Sequence, residues 1–172
     1  VVLMESGQPS SDDYRKILQQ NKIFSGQDNI GAAVMNCNPF TYGHRYLIET
    51  ACKECDGLYL IIVQEDLSLF PFNNRMMLVE EGTKDLRNVR LIPSGDYAVS
   101  RATFPTYFLK DKCTASVAGT QAELDATLFA NLFVPELSIK KRFVGTEPFC
   151  PITAKYNEMM KKGLPPRGVE IE

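Results

Sequence analysis

The chain has a single histidine in 172 residues, no apolar run long enough to span a bilayer, and almost no excess of charge of either sign. Each scarcity removes a class of function. With 19 basic residues against 21 acidic ones, a net charge of -2 supplies no global field to draw the chain onto nucleic acid or an anionic membrane. The longest clean apolar run, Leu58 to Val63, falls far short of the roughly 20 residues a membrane helix needs, and it reads as a buried strand. No secretory signal is read at the N-terminus, where no basic segment precedes an apolar one, and the first residue is Val rather than Met. The chain is therefore expected to be part of a longer protein.

Cysteines are few and odd in number. Cys37, Cys52, Cys55, Cys113 and Cys150, without a secretory signal, favour reduced thiols and a cytoplasmic location. Cys52 and Cys55 have redox-motif spacing, yet they fall inside a helical pattern rather than at a helix start, where the macrodipole would activate a thiolate. Two further ligands at metal spacing are missing, so the pair is read as helix residues and no metal site is expected.

What is present is one domain's worth of chain, long enough to bury a core without staples. Residues 1–29 are polar and read as a linker with one short helix, Asp12 to Phe24, whose apolar side is Ile17, Leu18 and Ile23. From Ile30 the pattern changes. The run "IGAAVMNC" has the small, continuous apolar character of a strand covered on both faces, and a turn signal and a helix from about Gly43 to Cys55 follow it.

A second buried strand, "GLYLIIVQ", leads through a polar loop to a helix near Asn73, with Asn73 or Asn74 as its N-cap. "NVRLIPSG" and "IKKRFVG" read as further strands, a short helix follows the proline of "ATFPTYFLKD", and "TQAELDATLFANLF" is a longer amphipathic helix. "PITAKYNEMMKKG" is a helix with Pro at its start and Gly at its end. Strands alternating with helices imply an α/β fold, a doubly wound parallel sheet, with ligands at the carboxyl ends of the strands.

The lone histidine falls at one of those ends. His44 lies in the first turn of the helix after the first strand, where unpaired N–H groups and the positive end of the dipole favour an anion such as phosphate. Gly43 permits close backbone approach, Thr41 supplies a hydroxyl and Pro39 stiffens the turn. The competing reading is that Asn36, Asn38 and Thr41 only cap a helix and His44 is a surface imidazole.

The segment "NCNPFTYGH" resembles the T/H-x-G-H signature of the nucleotidyltransferase superfamily, with Thr41 and His44 in the signature positions. Together with "FPFNNRMMLVEEG", "SRATFPTYFLKD" and "FVGTEPFCPITAKYNEMM", residues 30–172 resemble the citrate lyase ligases. That resemblance implies a Rossmann-like, HUP-type nucleotidyltransferase domain in which acetate attacks the α-phosphorus of ATP. Acetyl-AMP and pyrophosphate would form, and the acetyl group would pass to the phosphoribosyl-dephospho-CoA thiol on the acyl carrier subunit of citrate lyase.

Carried over by motif position, Thr41 and His44 would hydrogen-bond the α- and β-phosphate oxygens. The backbone around Phe40 and Gly43 would cradle the triphosphate, and Mg2+ would neutralise the leaving pyrophosphate. Such a site needs positioned donors rather than a covalent nucleophile. Arg75 is assigned to phosphate or substrate carboxylate. Asn36, Asn38, Arg101, Gly145, Thr146 and Glu147 are assigned to nucleotide contact, the last three because "VGTEP" follows a strand and its counterpart in the superfamily faces the nucleotide. Phe104, Tyr107 and Phe108 are read as core rather than as an acyl pocket.

The superfamily's second signature, I-S-x-S-x-x-R, is absent from these residues, and so is the acetyltransferase-like domain that tends to precede the ligase domain. The chain is expected to be trimmed at both ends. Two rival readings stay open at this point: an adenylyltransferase acting on a phosphorylated substrate such as phosphopantetheine, and a non-catalytic nucleotide- or carrier-binding domain.

Overall fold

The computed structural model describes residues 3–108, 115–146 and 148–172. Its centre is a sheet of five parallel strands in the order β3-β2-β1-β4-β5. The strands are β1 (Ile30–Met35), β2 (Gly57–Ile62), β3 (Val89–Pro93), β4 (Lys141–Arg142) and β5 (Glu170–Ile171). The doubly wound α/β architecture expected from the alternating pattern is the one observed.

Helices α2 (Tyr42–Glu54) and α3 (Phe72–Thr83) carry the chain from β1 to β2 and from β2 to β3, and their buried side chains join one core. Helices α4 (Ala115–Leu128) and α6 (Pro151–Gly163) cover the other face. Alternation along β2 supplies both cores: Leu58, Leu60 and Ile62 point to the first, Tyr59 and Ile61 to the second. Gly31 of β1 is required where it stands, since a Cβ there would lie 2.7 Å from the Phe143 ring and 3.0 Å from the Cys55 sulfur.

Helix α1 (Ser11–Gln20), the short helix of residues 1–29, is packed into the second core. Its buried side chains are Tyr14 and Leu18, an i,i+4 pair, whereas Ile17 and Ile23 are 44% and 52% exposed. The Tyr14 hydroxyl donates to the Pro93 carbonyl at 2.6 Å, and Arg15 pairs with Glu136 at 2.8 Å. The composition of the segment is polar because most of it is surface. One tyrosine and one leucine are enough to dock it.

Two helix boundaries differ from the sequence pattern, each for a tertiary reason. Helix α3 begins at Phe72, ahead of both asparagines, because Asp66 reaches back from the preceding loop to accept the Phe72 N–H. The long helix opens into a π turn over Phe129–Phe133 before α5 (Val134–Leu137). Pro135 has no N–H to offer the carbonyl of Asn131, and that carbonyl instead accepts from Arg15 at 3.2 Å.

Candidate functional site

Winding reverses between β1 and β4: α2 leaves β1 over one face and α6 leaves β4 over the other. A crevice must open between their carboxyl ends, which is where ligands bind in sheets of this kind. A cavity of about 400 Å3 lies there. It is lined on one side by the segment after β1 and α2, and on the other by residues 142–146 and α6.

His44 faces this cavity from the first turn of α2. Its Nδ1 accepts the Thr41 backbone N–H at 3.1 Å and lies 2.8 Å from Thr41 Oγ1. An amide can only donate, so Nδ1 carries no proton and the neutral ring holds its proton on Nε2. Burial pushes the His44 pKa below the ordinary histidine value, in keeping with a neutral ring. The imidazole thus closes a capping box from the position usually held by Glu or Gln, and its free edge is a donor.

Phe40 stacks on that imidazole with ring centroids 5.9 Å apart and an interplanar angle of 21°. Behind Phe40 stands Gly82 of α3, where a Cβ would come within 2.4 Å of the phenylalanine ring. Gly43 is exposed, and a Cβ there would meet only Thr41 Oγ1 at 3.7 Å, so the space over its backbone is open on the protein's side.

The two asparagines tie loops together beside the cavity that they line. Asn36 exchanges hydrogen bonds with Ser68 at 3.1 Å, and Asn38 Oδ1 accepts the Phe70 N–H at 2.9 Å. Between them Cys37 is held at φ 50°, a left-handed conformation that a non-glycine residue rarely adopts and that tends to mark functional loops. Its thiol is buried and pushed up to about 12, principally by desolvation, and is unreactive at neutral pH. Cys52 and Cys55, pushed up by burial to about 11 and about 12, are inert for the same reason.

Gly145 and Thr146 line the opposite wall, where the Gly145 carbonyl accepts from Asn157 at 2.8 Å. Glu147 lies outside the described residues.

Two arginines do not stand where the sequence reading put them. Arg75 is completely buried, with Nε, Nη1 and Nη2 donating to the carbonyls of Phe70, Asn36, Val63 and Glu65 at 2.7–2.9 Å. Its donors clamp the chain leaving β1 and β2 rather than a phosphate. Arg101 is exposed, and its backbone N–H and Nε both reach Glu65 Oε2 at 3.1 Å. Arg101 is not part of the cavity wall.

A third arginine, missed in the sequence, does belong to the wall. Arg142 of β4 is 1% exposed and lines the cavity together with Val99, Phe104, Tyr107 and Tyr156. Its Nη2 donates to the Tyr156 hydroxyl at 2.7 Å, which donates in turn to Asp125 Oδ2 at 2.6 Å, while Asp125 Oδ1 holds the Val99 N–H at 2.7 Å. Two signals were available. "IKKRFVG" places charge inside a strand, and Asp125 interrupts the buried helical stripe of Ala118, Ala122, Ala126 and Phe129. Phe104 and Tyr107, read as core, are both packed and cavity-lining.

By its fold the protein is a Rossmann-like α/β domain, and the NadR protein solved in complex with NAD and AMP-PNP shares that fold. The superposition has a TM-score of 0.53 at 16% identity and covers 84% of this chain and 37% of that one. The family is set by sequence: the model of the citrate lyase ligase C-terminal domain matches residues 30–172, and the chain belongs to that family.

Among curated relatives, the citrate (pro-3S)-lyase ligase of Klebsiella pneumoniae is 48% identical over 135 residues, or 78% of this chain and 39% of that protein. The one from Escherichia coli K12 is 43% identical over 164 residues, 95% of this chain and 46% of that protein. The Haemophilus influenzae protein is 43% identical over 160 residues, 93% of this chain and 47% of that protein. The chain spans about half the length of these relatives or less.

Proposed function

We propose that this domain activates acetate with ATP and serves the acetylation of the citrate lyase acyl carrier subunit. A carboxylate oxygen of acetate attacks the α-phosphorus, the bond to the β-phosphate oxygen breaks, and acetyl-AMP and pyrophosphate result. In the second step the phosphoribosyl-dephospho-CoA thiol takes the acetyl group and AMP leaves. The observation that carries the reading is the His44 edge: a neutral imidazole, fixed through Nδ1 by Thr41, offers an Nε2–H to the cavity at the N-terminus of α2.

Negative charge grows on phosphate oxygens as the bond to pyrophosphate breaks, and a donor already aimed costs nothing to reorient at that moment. The first-turn N–H groups of α2 add to it, since helix geometry leaves them without intrahelical acceptors. Thr41 acts through the imidazole, which it orients. Gly43 leaves room for phosphate over the turn. Asn36, Asn38, Phe40, Gly145 and Thr146 form or support the walls that would hold the nucleotide.

Mg2+ belongs to this reading as the partner of the leaving pyrophosphate. The ion would be carried by phosphate oxygens and water; among the described residues there is no group of three or more His, Cys, Asp or Glu that could hold a metal ion. Among the same residues no helix is long and apolar enough to cross a membrane.

The test is acetate-dependent exchange of labelled pyrophosphate into ATP, run on the protein at the full length of its relatives. Exchange that needs acetate and Mg2+ but no carrier subunit supports an acetyl-adenylate. Exchange with phosphopantetheine in place of acetate would move the domain to an adenylyltransferase reaction. Silence with both would leave a binding domain.

A further inference from the structure

Burying a guanidinium is costly unless its N–H groups find acceptors, so a buried arginine with idle donors calls for an explanation. Arg142 is such a residue. Tyr156 takes Nη2, but the buried Nε and Nη1 have no hydrogen-bond partner, which leaves three N–H bonds unmatched. Its Cζ sits 4.3 Å from the centroid of the Phe129 ring, a contact that stabilises the charge without giving those protons an oxygen. Arg142 is nevertheless one of the residues that line the cavity.

We propose that Arg142 binds the carboxylate of the acid substrate, seated at the end of the crevice walled by Val99, Phe104 and Tyr156. This rests on the acid-activating reading above.

Charge matching favours a carboxylate over the nucleotide's phosphates at this spot. Asp125 already offsets part of the single positive charge through the Tyr156 hydroxyl, so what remains suits a monoanion rather than a polyanion. The surroundings agree. Phe104 stacks on Tyr156 with centroids 5.1 Å apart, and with Val99 these rings make an apolar wall suited to a methyl group. Val99 itself is held at φ 50°, an outlier for a β-branched residue, and Asp125 pins its N–H there. Burial pushes the Tyr156 pKa far above the phenol range, so the hydroxyl remains a donor to Asp125 at every working pH.

Tyr156 and Asp125 are thus positioning residues, fixing the guanidinium and the Val99 wall in one chain of hydrogen bonds. An arginine whose Nε and Nη1 are kept without acceptors in the free protein spends that capacity only when a carboxylate arrives.

The experiment compares wild type with Arg142→Gln in two readouts: apparent KM for acetate in the exchange assay, and affinity for a fluorescent ATP analogue without acetate. Loss of one charge-assisted contact should raise the acetate KM by about 10-fold to 100-fold and leave ATP affinity within about twofold. An unchanged acetate KM, or an equal loss of ATP affinity, would overturn the assignment.

Acetate binding followed by ligand-observed NMR, with chloride at matched ionic strength as control, separates the two proposals. Binding by wild type but not by the variant, without any exchange, sinks the acid-activation reading and keeps the carboxylate site. No binding by wild type sinks the site. Should Arg142→Gln fail to fold, Phe104→Leu tests the same pocket with the charges intact: preference should move from acetate toward butyrate, and an unaltered preference would overturn the proposal.

Discussion

Arg75 and Arg142 are both completely or almost completely buried, at 0% and 1% exposure, and both sit near the carboxyl ends of strands. Arg75 donates to four backbone carbonyls, so that each of its three side-chain nitrogens has an acceptor in the fold. Arg142 donates to one phenol and keeps Nε and Nη1 idle. The first holds together the loops that follow β1 and β2. The second has been desolvated with two of its nitrogens left without acceptors, a state that calls for an explanation.

The sharpest way to break this contrast is to remove each cation. Arg75→Met strands four backbone carbonyls, that of Val63 buried and the others partly so, and should lower the unfolding free energy by about 3 to 5 kcal/mol, read by denaturant titration. Arg142→Met leaves the Tyr156–Asp125 bond in place and should cost only about 1 to 2 kcal/mol. Equal losses would mean that Arg142 is a structural cation like its counterpart.

His44→Ala should cost about 2 to 4 kcal/mol of transition-state stabilisation in the exchange assay, the range for removing one preorganised donor. An unchanged rate would take the imidazole out of the site. Gly82→Ala pushes a methyl into Phe40, 2.4 Å from the ring, and should destabilise by about 1 to 3 kcal/mol while loosening the stack on His44.

A pH series sharpens the assignment of the ring as neutral. The folded His44 pKa lies below its unfolded value, so its contribution is present above the unfolded pKa of about 6.5 and is lost as pH falls through the folded value. Wild type should therefore lose more stability between about pH 7 and about pH 5 than His44→Gln does. Parallel curves would contradict a ring held neutral by burial. The smallest effect expected is for Arg101→Ala, whose exposed pair with Glu65 should contribute below about 1 kcal/mol and whose loss should leave exchange unaltered.

The sheet was readable because β1 and β2 are buried on both faces and so appear as uninterrupted apolar runs. The first turn of α2 was readable because its chemistry is local: Thr41 and His44 meet across three residues. Arg75 was misread for the opposite reason. An arginine near a helix start gives the same sequence signal whether it faces solvent or four carbonyls from the loops after β1 and β2. The Asp125–Tyr156–Arg142 chain joins residues from α4, α6 and β4, and no spacing rule links them. Asp66 capping α3 from the loop before it is the same kind of event on a smaller scale.

The capping box at α2 has one more implication, for anyone redesigning this protein. A routine of stabilising substitutions would replace the unusual third-position residue with Glu, the side chain such boxes ordinarily carry, and the helix should tighten. The same exchange would set a carboxylate where the imidazole now presents its proton, repelling the phosphate that edge is proposed to receive. At this one position thermal robustness and turnover pull in opposite directions, and a library selected for the first should be screened for loss of the second.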